Sequence, residues 1–273
     1  MLREGIPAFR LPREVIDHDV AMIRAVGVEF VSLARIGDKA SLRSLVGDGA
    51  AAVVATGAWK DVPLGVPGED ASGCYRCLEF LGRVNSGRAP DLSGTVVVVG
   101  GGNAAMDAAR SALRLNPGRV IVAYRRSRDE MTAAAGEVED ALREGVEIHY
   151  LVAPTRMIVT DGRIQGLEMI RMRLGAPDGT GRARPEPVVG SAFRLGAQVV
   201  IPAIGQVPEV SFVDTATGSA QGRLVCDARG MLAGYEGVFG AGDAVTGPST
   251  VVEALASGIE AARRVIRYLE GEG

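Results

Sequence analysis

The sequence predicts an α/β fold built on a parallel sheet, and three observations point to it. Between residues 95 and 150, apolar strand-like runs alternate with helix-like stretches at the spacing of βαβ units. A four-valine run, Val96–Val99, feeds directly into Gly100–Gly102 and then into a helical stretch. The 273 residues also include 37 Gly against 6 Phe, 5 Tyr and 1 Trp, so the backbone must turn tightly or approach something closely at many points.

Taken in order, Pro12 suits the first position of a helix whose apolar face is Val15, Ile16, Met22, Ile23 and Val26, with Gly27 as its stop. Val28–Leu33 reads as a strand, and Ala51–Ala55 as a buried one ending in Thr56-Gly57. Leu64–Gly73 is a loop by its turn residues, and Leu78–Val84 a short helix. Strand Val96–Val99, helix Asn103–Leu115, strand Val120–Tyr124, helix Ala134–Glu144 and strand Val146–Tyr150 then follow in alternation. From 151 to 195 the rhythm changes. Extended runs separated by Asp161-Gly162 and Pro177-Asp178-Gly179 predict an antiparallel hairpin or meander. Gln198–Ile204 is a further apolar strand, Val238–Gly240 leads into Gly242-Asp243, and Thr250–Leu269 forms the last helix. Boundaries near 58 and 206 divide the chain into an inserted inner domain, 58–205, between flanking segments 1–57 and 206–273.

Thirty basic and 33 acidic residues give a net charge of −3, with no basic excess for a phosphate backbone. The apolar runs are short and broken by Gly or Pro, far from the roughly 20 residues of a membrane helix. The N-terminus has no apolar signal-peptide core. Three cysteines are too few for a disulfide framework, so a cytoplasmic protein is expected.

Gly100, Gly102 and Ala105 spell G-x-G-x-x-A after a strand and at the start of a helix, the context a dinucleotide fingerprint requires. Gly100 permits the turn, Gly102 lets backbone N–H groups approach a pyrophosphate, and Ala105 allows close helix–strand packing. The helix N-terminus adds partial positive charge. A second match, Gly47 to Ala52, precedes a strand instead of following one and is rejected. The next strand ends in Tyr124-Arg125-Arg126-Ser127-Arg128, where an NAD site usually carries an acid for the ribose 2′-hydroxyl. Arginines there favour a 2′-phosphate and hence NADPH; the competing reading is a solvated basic turn.

Gly5-Ile-Pro-Ala-Phe-Arg-Leu-Pro12, Ala55-Thr-Gly57, Gly100 to Arg110, Tyr124 to Arg128, Ala203-Ile-Gly-Gln206, Gly240-Ala-Gly-Asp243 and Gly247 to Ala254 form an ordered series along the whole chain. Together they resemble the NADPH-dependent glutamate synthase small (beta) subunit family. The resemblance implies a two-dinucleotide-binding-domain flavoprotein reductase fold, with FAD in one domain and NADPH in an inserted second one. Hydride would pass from nicotinamide to flavin, and electrons onward to a partner subunit such as a glutamate synthase large subunit or an iron–sulfur protein. Gly100, Gly102, Asn103 and Ala104 would then face the NADPH pyrophosphate. Arg125, Arg126 and Arg128 would hold the 2′-phosphate. Asp243, after Gly242, would bond the FAD ribityl chain, and the Val251 N–H would face the flavin's pyrimidine edge. Thr56 and Gly57 would mark the crossing between domains, with Gly205 at the end of the inserted one. No side chain is expected to act as catalytic acid or base, because hydride transfer needs positioning and electrostatics.

The sequence departs from the family pattern in two places. Thr132 stands where relatives usually have Pro. The cysteine-bearing iron–sulfur region and the first strand–GxGxxG–helix unit of the FAD site are not found in it. Either another polypeptide supplies that unit or the chain is a truncated NADP(H)-binding fragment, and apolar residues in 28–57 and 238–269 should then lie exposed. Cys74-Tyr-Arg-Cys77 leaves a thioredoxin-reductase-like dithiol reading open, against two small residues packing at a helix start. His18 and His149 lack metal-ligand spacing, and Glu137 and Glu139 read as a solvated helix face.

Overall fold

The computed structural model describes residues 1–46, 50–179, 181–213 and 222–271, so the rejected glycine match at Gly47 and Gly49 lies outside the described residues. In chain order the elements are α1 (Arg13–Ala25), α2 (Lys39–Arg43), β1 (Ala52–Val54), β2 (Lys60–Asp61), α3 (Cys77–Asn85), β3 (Thr95–Val99), α4 (Asn103–Leu113) and β4 (Arg119–Tyr124). Then come α5 (Ala135–Glu144), β5 (Glu147–Tyr150), β6 (Val152–Thr160), β7 (Arg163–Pro177), β8 (Ala183–Pro187), β9 (Phe193–Gly196) and β10 (Val199–Pro202). The chain finishes with β11 (Gln206–Val207), β12 (Val238–Gly240), α6 (Asp243–Thr246) and α7 (Val251–Leu269). They divide between a sheet unit, Met1–Asp19 with Asp61–Gly205, and a flanking unit, Val20–Lys60 with Gln206–Gly273.

The sheet unit rests on four parallel strands in the order β10–β3–β4–β5. Alternation along β3 and β4 assigns each strand two jobs. Val96, Val98, Val120 and Val122 pack with Phe80, Leu81, Met106 and Ala109 under helices α3 and α4. Val97, Val99, Ile121 and Ala123 pack instead with Met157, Ile164, Leu167 and Met169 of the antiparallel layer. Both faces are therefore covered, as a parallel sheet requires. Ala105, Ala108, Ala109 and Ala112 are fully buried on α4, and their small side chains let that helix lie close to the sheet. On the other face β6, β7 and β8 form an antiparallel meander with β9 paired to β7, as the turn signals predict. Its first turn takes positive φ at both Asp161 (49°) and Gly162 (73°), the pattern of a tight hairpin.

Residues 1–19, read from the sequence as part of a flanking segment, group with the sheet unit. The reason is a set of polar ties. Asn85 Nδ2 donates to the Glu4 and Ile6 carbonyls, and Arg10 pairs with Asp107 and Glu137.

In the flanking unit, β1 pairs in parallel with β12, joining Ala52 to Val238 and Val54 to Gly240. A small core of Leu42, Val54, Phe212, Leu224, Leu232, Tyr235 and Val238 surrounds this pair. The strand expected at Val28–Leu33 is not formed: the segment makes no ladder, and Leu33 has φ 60° with a fully exposed side chain. Apolar residues alone do not make a strand; a hydrogen-bonding neighbour is required. Helix α1 forms as predicted, but of its apolar face only Ile16 is buried. Helix α7 is nineteen residues long, with Ala261 its one buried residue, while Val252, Leu255, Ile259, Ile266 and Leu269 are exposed. Exposed apolar surface in 28–57 and 238–269 is what the sequence led us to expect. No helix among the described residues is long and apolar enough to cross a membrane.

Candidate functional site

The corner between β3 and α4 is tightly determined. Gly100 sits at φ 151°, and a Cβ there would strike the Ala203 carbonyl at the end of β10. A Cβ on Gly101 would run into the Tyr124 ring. Gly102 caps α4 in extended geometry (φ −99°, ψ 178°), and the first bonds of the helix run from the N–H groups of Ala105 and Met106 to its carbonyl, at 3.0 and 3.2 Å. The N–H groups of Asn103 and Ala104 come before these bonds and point out of the helix start, where the macrodipole places partial positive charge. Bare backbone, opening donors and a helix N-terminus make a cradle for a phosphate group. A side chain at Gly102 would stand against Thr132 Oγ1, 3.3 Å away, and crowd it.

A loop in which the sequence marked only Thr132 braces the cradle. The N–H groups of Thr132 and Ala133 both donate to the Gly101 carbonyl at 3.1 Å. The N–H of Ala134 donates to Asn103 Oδ1 at 2.9 Å, so the Asn103 side chain is held by the start of α5. Hydrogen bonds of this kind join residues about 30 apart and leave no periodic trace.

Because β3 and β4 are parallel and in register, Arg125–Arg128 emerge at the same sheet edge as the glycines. The three arginines do different things there. Arg125 and Arg128 are exposed, with Arg128 3.8 Å from Glu139. Arg126 is buried at 5% exposure; its Nη2 pairs with Asp178 at 2.8 Å and its Nε donates to the Ala183 carbonyl at 2.9 Å. Its guanidinium is thus spent on tying the end of β4 to the meander, through a partner 52 residues away that no local pattern marks. Gly205 follows β10, and its carbonyl accepts the Val62 N–H at 3.0 Å.

In the flanking unit, Thr56 and Gly57 line a cavity of about 170 Å³ with Arg35, Ile36, Trp59 and Phe212. Gly242 caps α6 at φ 62°, ψ −156°, a conformation open almost only to glycine, and its N–H donates to Ser257 Oγ. Asp243 follows it and accepts the Ser249 hydroxyl at 3.1 Å. Helix α7 opens with a full capping box: Thr250 Oγ1 accepts the Glu253 N–H, and Glu253 accepts the Thr250 N–H. The first intrahelical bond comes from Ala254, so the box leaves the Val251 N–H open at the helix start.

The cysteines are built as packing residues. Cys77 is fully buried and its Sγ donates to the Ala104 carbonyl at 3.6 Å, supporting α4 from beneath. Burial pushes the Cys77 thiol far up and that of Cys74 up to about 12, the reverse of an activated dithiol. Glu137, expected on a solvated face, bonds Arg110 at 2.5 Å and Arg10 at 2.9 Å.

Residues 26–258 match the family model described as pyridine nucleotide-disulphide oxidoreductase. The chain belongs to this family. Among curated members it is 44% identical to the NADP(+)-dependent formate dehydrogenase subunit beta of Moorella thermoacetica, over 98% of this chain and 39% of that protein. It is 32% identical to the glutamate synthase [NADPH] small chain of Escherichia coli K12, over 99% of this chain and 61% of that protein. The chain thus spans about two fifths of the first of these proteins and about three fifths of the second. Mycobacterium tuberculosis FprA, solved in complex with NADPH, superposes with a TM-score of 0.79 at 18% identity, covering 99% of this chain and 75% of FprA. The fold is that of the two-dinucleotide-binding-domain flavoprotein reductases.

Proposed function

We propose that this chain is an NADPH-dependent flavoprotein oxidoreductase module that exchanges electrons with a partner subunit. The observation that carries the reading is the glycine corner at Gly100–Gly102 with Arg125 and Arg128 exposed at the same sheet edge. In this reading the sheet unit is the NADP(H) domain. Gly102 and the N–H groups of Asn103 and Ala104 receive the pyrophosphate, and Ala105 keeps the helix close to the strand. Arg125 and Arg128 hold the 2′-phosphate, while Arg126 braces the loop that carries them. The flanking unit supplies part of an FAD site. Asp243, positioned by Gly242 and Ser249, bonds the ribityl chain. The open Val251 N–H faces the pyrimidine edge, where a helix start favours negative charge on a reduced flavin. Thr56, Gly57 and Gly205 lie where the chain passes between the two domains. Once bound, the two cofactors supply hydride transfer from nicotinamide to flavin; the protein's share is to hold and orient them.

The names of the relatives support a partner subunit, since formate dehydrogenase subunit beta and glutamate synthase small chain are both parts of larger enzymes. Identity of 44% against 32% favours the first kind of partner, and a glutamate synthase role is the second reading. An absorbance spectrum and NADPH-dependent dye reduction test the proposal. Flavin bands near about 375 and 450 nm and a clear preference for NADPH over NADH are expected. A purified chain that takes up no FAD would reduce the proposal to an NADP(H)-binding module, and equal use of NADH would remove the 2′-phosphate assignment.

A further inference from the structure

Gly5-Ile-Pro-Ala-Phe-Arg-Leu-Pro12 is the one member of the ordered motif series that the nucleotide site leaves without a task. In the structure this segment lies as a strap along α4, from Asp107 to the helix's C-terminal end. Arg10 Nη1 bonds both carboxylate oxygens of Asp107, at 3.0 and 2.9 Å, and its Nε bonds Glu137 of α5 at 2.9 Å. The Phe9 ring lies under two guanidinium groups at the C-terminal end of α4, Arg110 at 4.7 Å and Arg114, just past the helix, at 3.9 Å. One side chain of the strap therefore joins the second turn of α4 to the first turn of α5, the two helices whose starts the Asn103–Ala134 bond also links.

Asp107 gives this arrangement a meaning for the ligand. It is 4% exposed and stands four residues after Asn103, about 6 Å along the helix from the open N–H groups. A bare carboxylate there would oppose any anion placed at the helix start, and the surrounding low dielectric would screen it poorly. The charged or titratable groups facing it are Arg10 from the strap, Arg110 on its own helix, Glu137 from α5 and Cys77 from α3. Burial raises the Asp107 carboxyl to about 6, with the Arg10 guanidinium acting in the other direction.

We propose that Arg10 is a positioning residue for NADPH: it fixes α4 against the start of α5 and cancels the Asp107 charge one turn along α4 from the phosphate cradle. The proposal rests on the nucleotide reading above and adds to it a residue 90 positions before the glycine corner.

The test is NADPH affinity of the full chain, by nicotinamide fluorescence titration from about pH 6 to about pH 8.5. Each variant is compared with the parent at the same pH, so that titration of the ligand's own phosphate cancels. Arg10→Gln should weaken binding about 10-fold at the alkaline end and about 2-fold at the acid end, where Asp107 takes up a proton. Arg10→Gln combined with Asp107→Asn should return to within about 2-fold of the parent throughout, and Asp107→Asn alone should bind at least as tightly as the parent. Should Arg10→Gln not fold, Arg10→Lys and Asp107→Asn decide. The lysine keeps the charge and should stay within about 3-fold. Weakening by Asp107→Asn of more than about 5-fold overturns the proposal. So does a loss in Arg10→Gln that is independent of pH or not rescued by Asp107→Asn, and so does an unchanged affinity with only a lowered melting temperature. A parent chain that binds no NADPH overturns the nucleotide reading itself, whereas a parent that binds while Arg10→Gln matches it overturns only the role of Arg10.

Discussion

In the sheet unit, β3 has a strand on each side and a packed layer on each face, and Val96–Val98 are wholly buried. In the flanking unit, β1 has β12 beside it, Val53 stays half exposed, and α7 turns a row of large apolar side chains to solvent. The two regions draw on the same residue types, yet only the first closes its layers. A two-stranded sheet is marginal without further strands or a helix against it. The sheet unit should therefore carry most of the chain's stability and respond sharply to changes in packing. The flanking unit should respond weakly.

The largest effect is expected at the glycine corner. Gly100→Val forces a side chain onto the Ala203 carbonyl at a φ that valine resists, and should cost about 4 kcal/mol or more in urea unfolding. A loss below about 1 kcal/mol would show the corner to be more pliable than its contacts imply. Next come the two kinds of arginine. Arg126→Ala should cost about 2 kcal/mol of stability by removing the buried guanidinium that pairs with Asp178 and donates to the Ala183 carbonyl, and should leave NADPH affinity nearly unchanged in the folded fraction. Arg125→Ala should do the opposite, with stability within about 0.5 kcal/mol and NADPH affinity about 10-fold weaker. Removal of the α7 cap by Thr250→Ala should cost about 1 kcal/mol.

A smaller contribution is confined to acid. Hydrogen bonds from Arg114 and Arg110 hold the Glu144 carboxyl down from 4.5 to about 2. Its folded-state value is depressed, so the stabilisation is complete above the ordinary carboxylate range and fades as pH falls toward 2. Glu144→Gln should flatten that part of an acid-unfolding curve. The smallest effect is expected on the exposed face. Leu255→Ser or Ile259→Ser should change stability by less than about 0.5 kcal/mol, and a loss near 2 kcal/mol would mean that the α7 face is covered in solution.

The elements around β3, α4 and β4 were legible because local signals agreed: a valine run for a doubly covered strand, glycines at the turn, alanines on the buried helix face. Periodicity also found α1 and α7, but it does not tell whether an apolar face has a neighbour, and most of both faces is bare. Val28–Leu33 failed for the same reason, since residue type reports a preference for strand but not the presence of a partner. At the candidate site, the arginine cluster could be read and its division of labour could not. What separates Arg126 from Arg125 is Asp178, and what occupies Arg10 is Asp107, 97 residues on. The strap was visible only as one link in an ordered motif series, with nothing in its own residues to say what it touches.

The bonds from Thr132, Ala133 and Ala134 back to Gly101 and Asn103 have a practical consequence for redesign. Residues 125–134 form one connection, yet its two halves are anchored to different things. Under the proposed reading the first half selects the nucleotide, and the second half is part of the cradle that every dinucleotide would share. Grafting the whole connection from an NADH-using protein would disturb both at once. Exchanging Arg125 and Arg128 alone, with Arg126 and 131–134 kept, is the narrower route to a change of coenzyme.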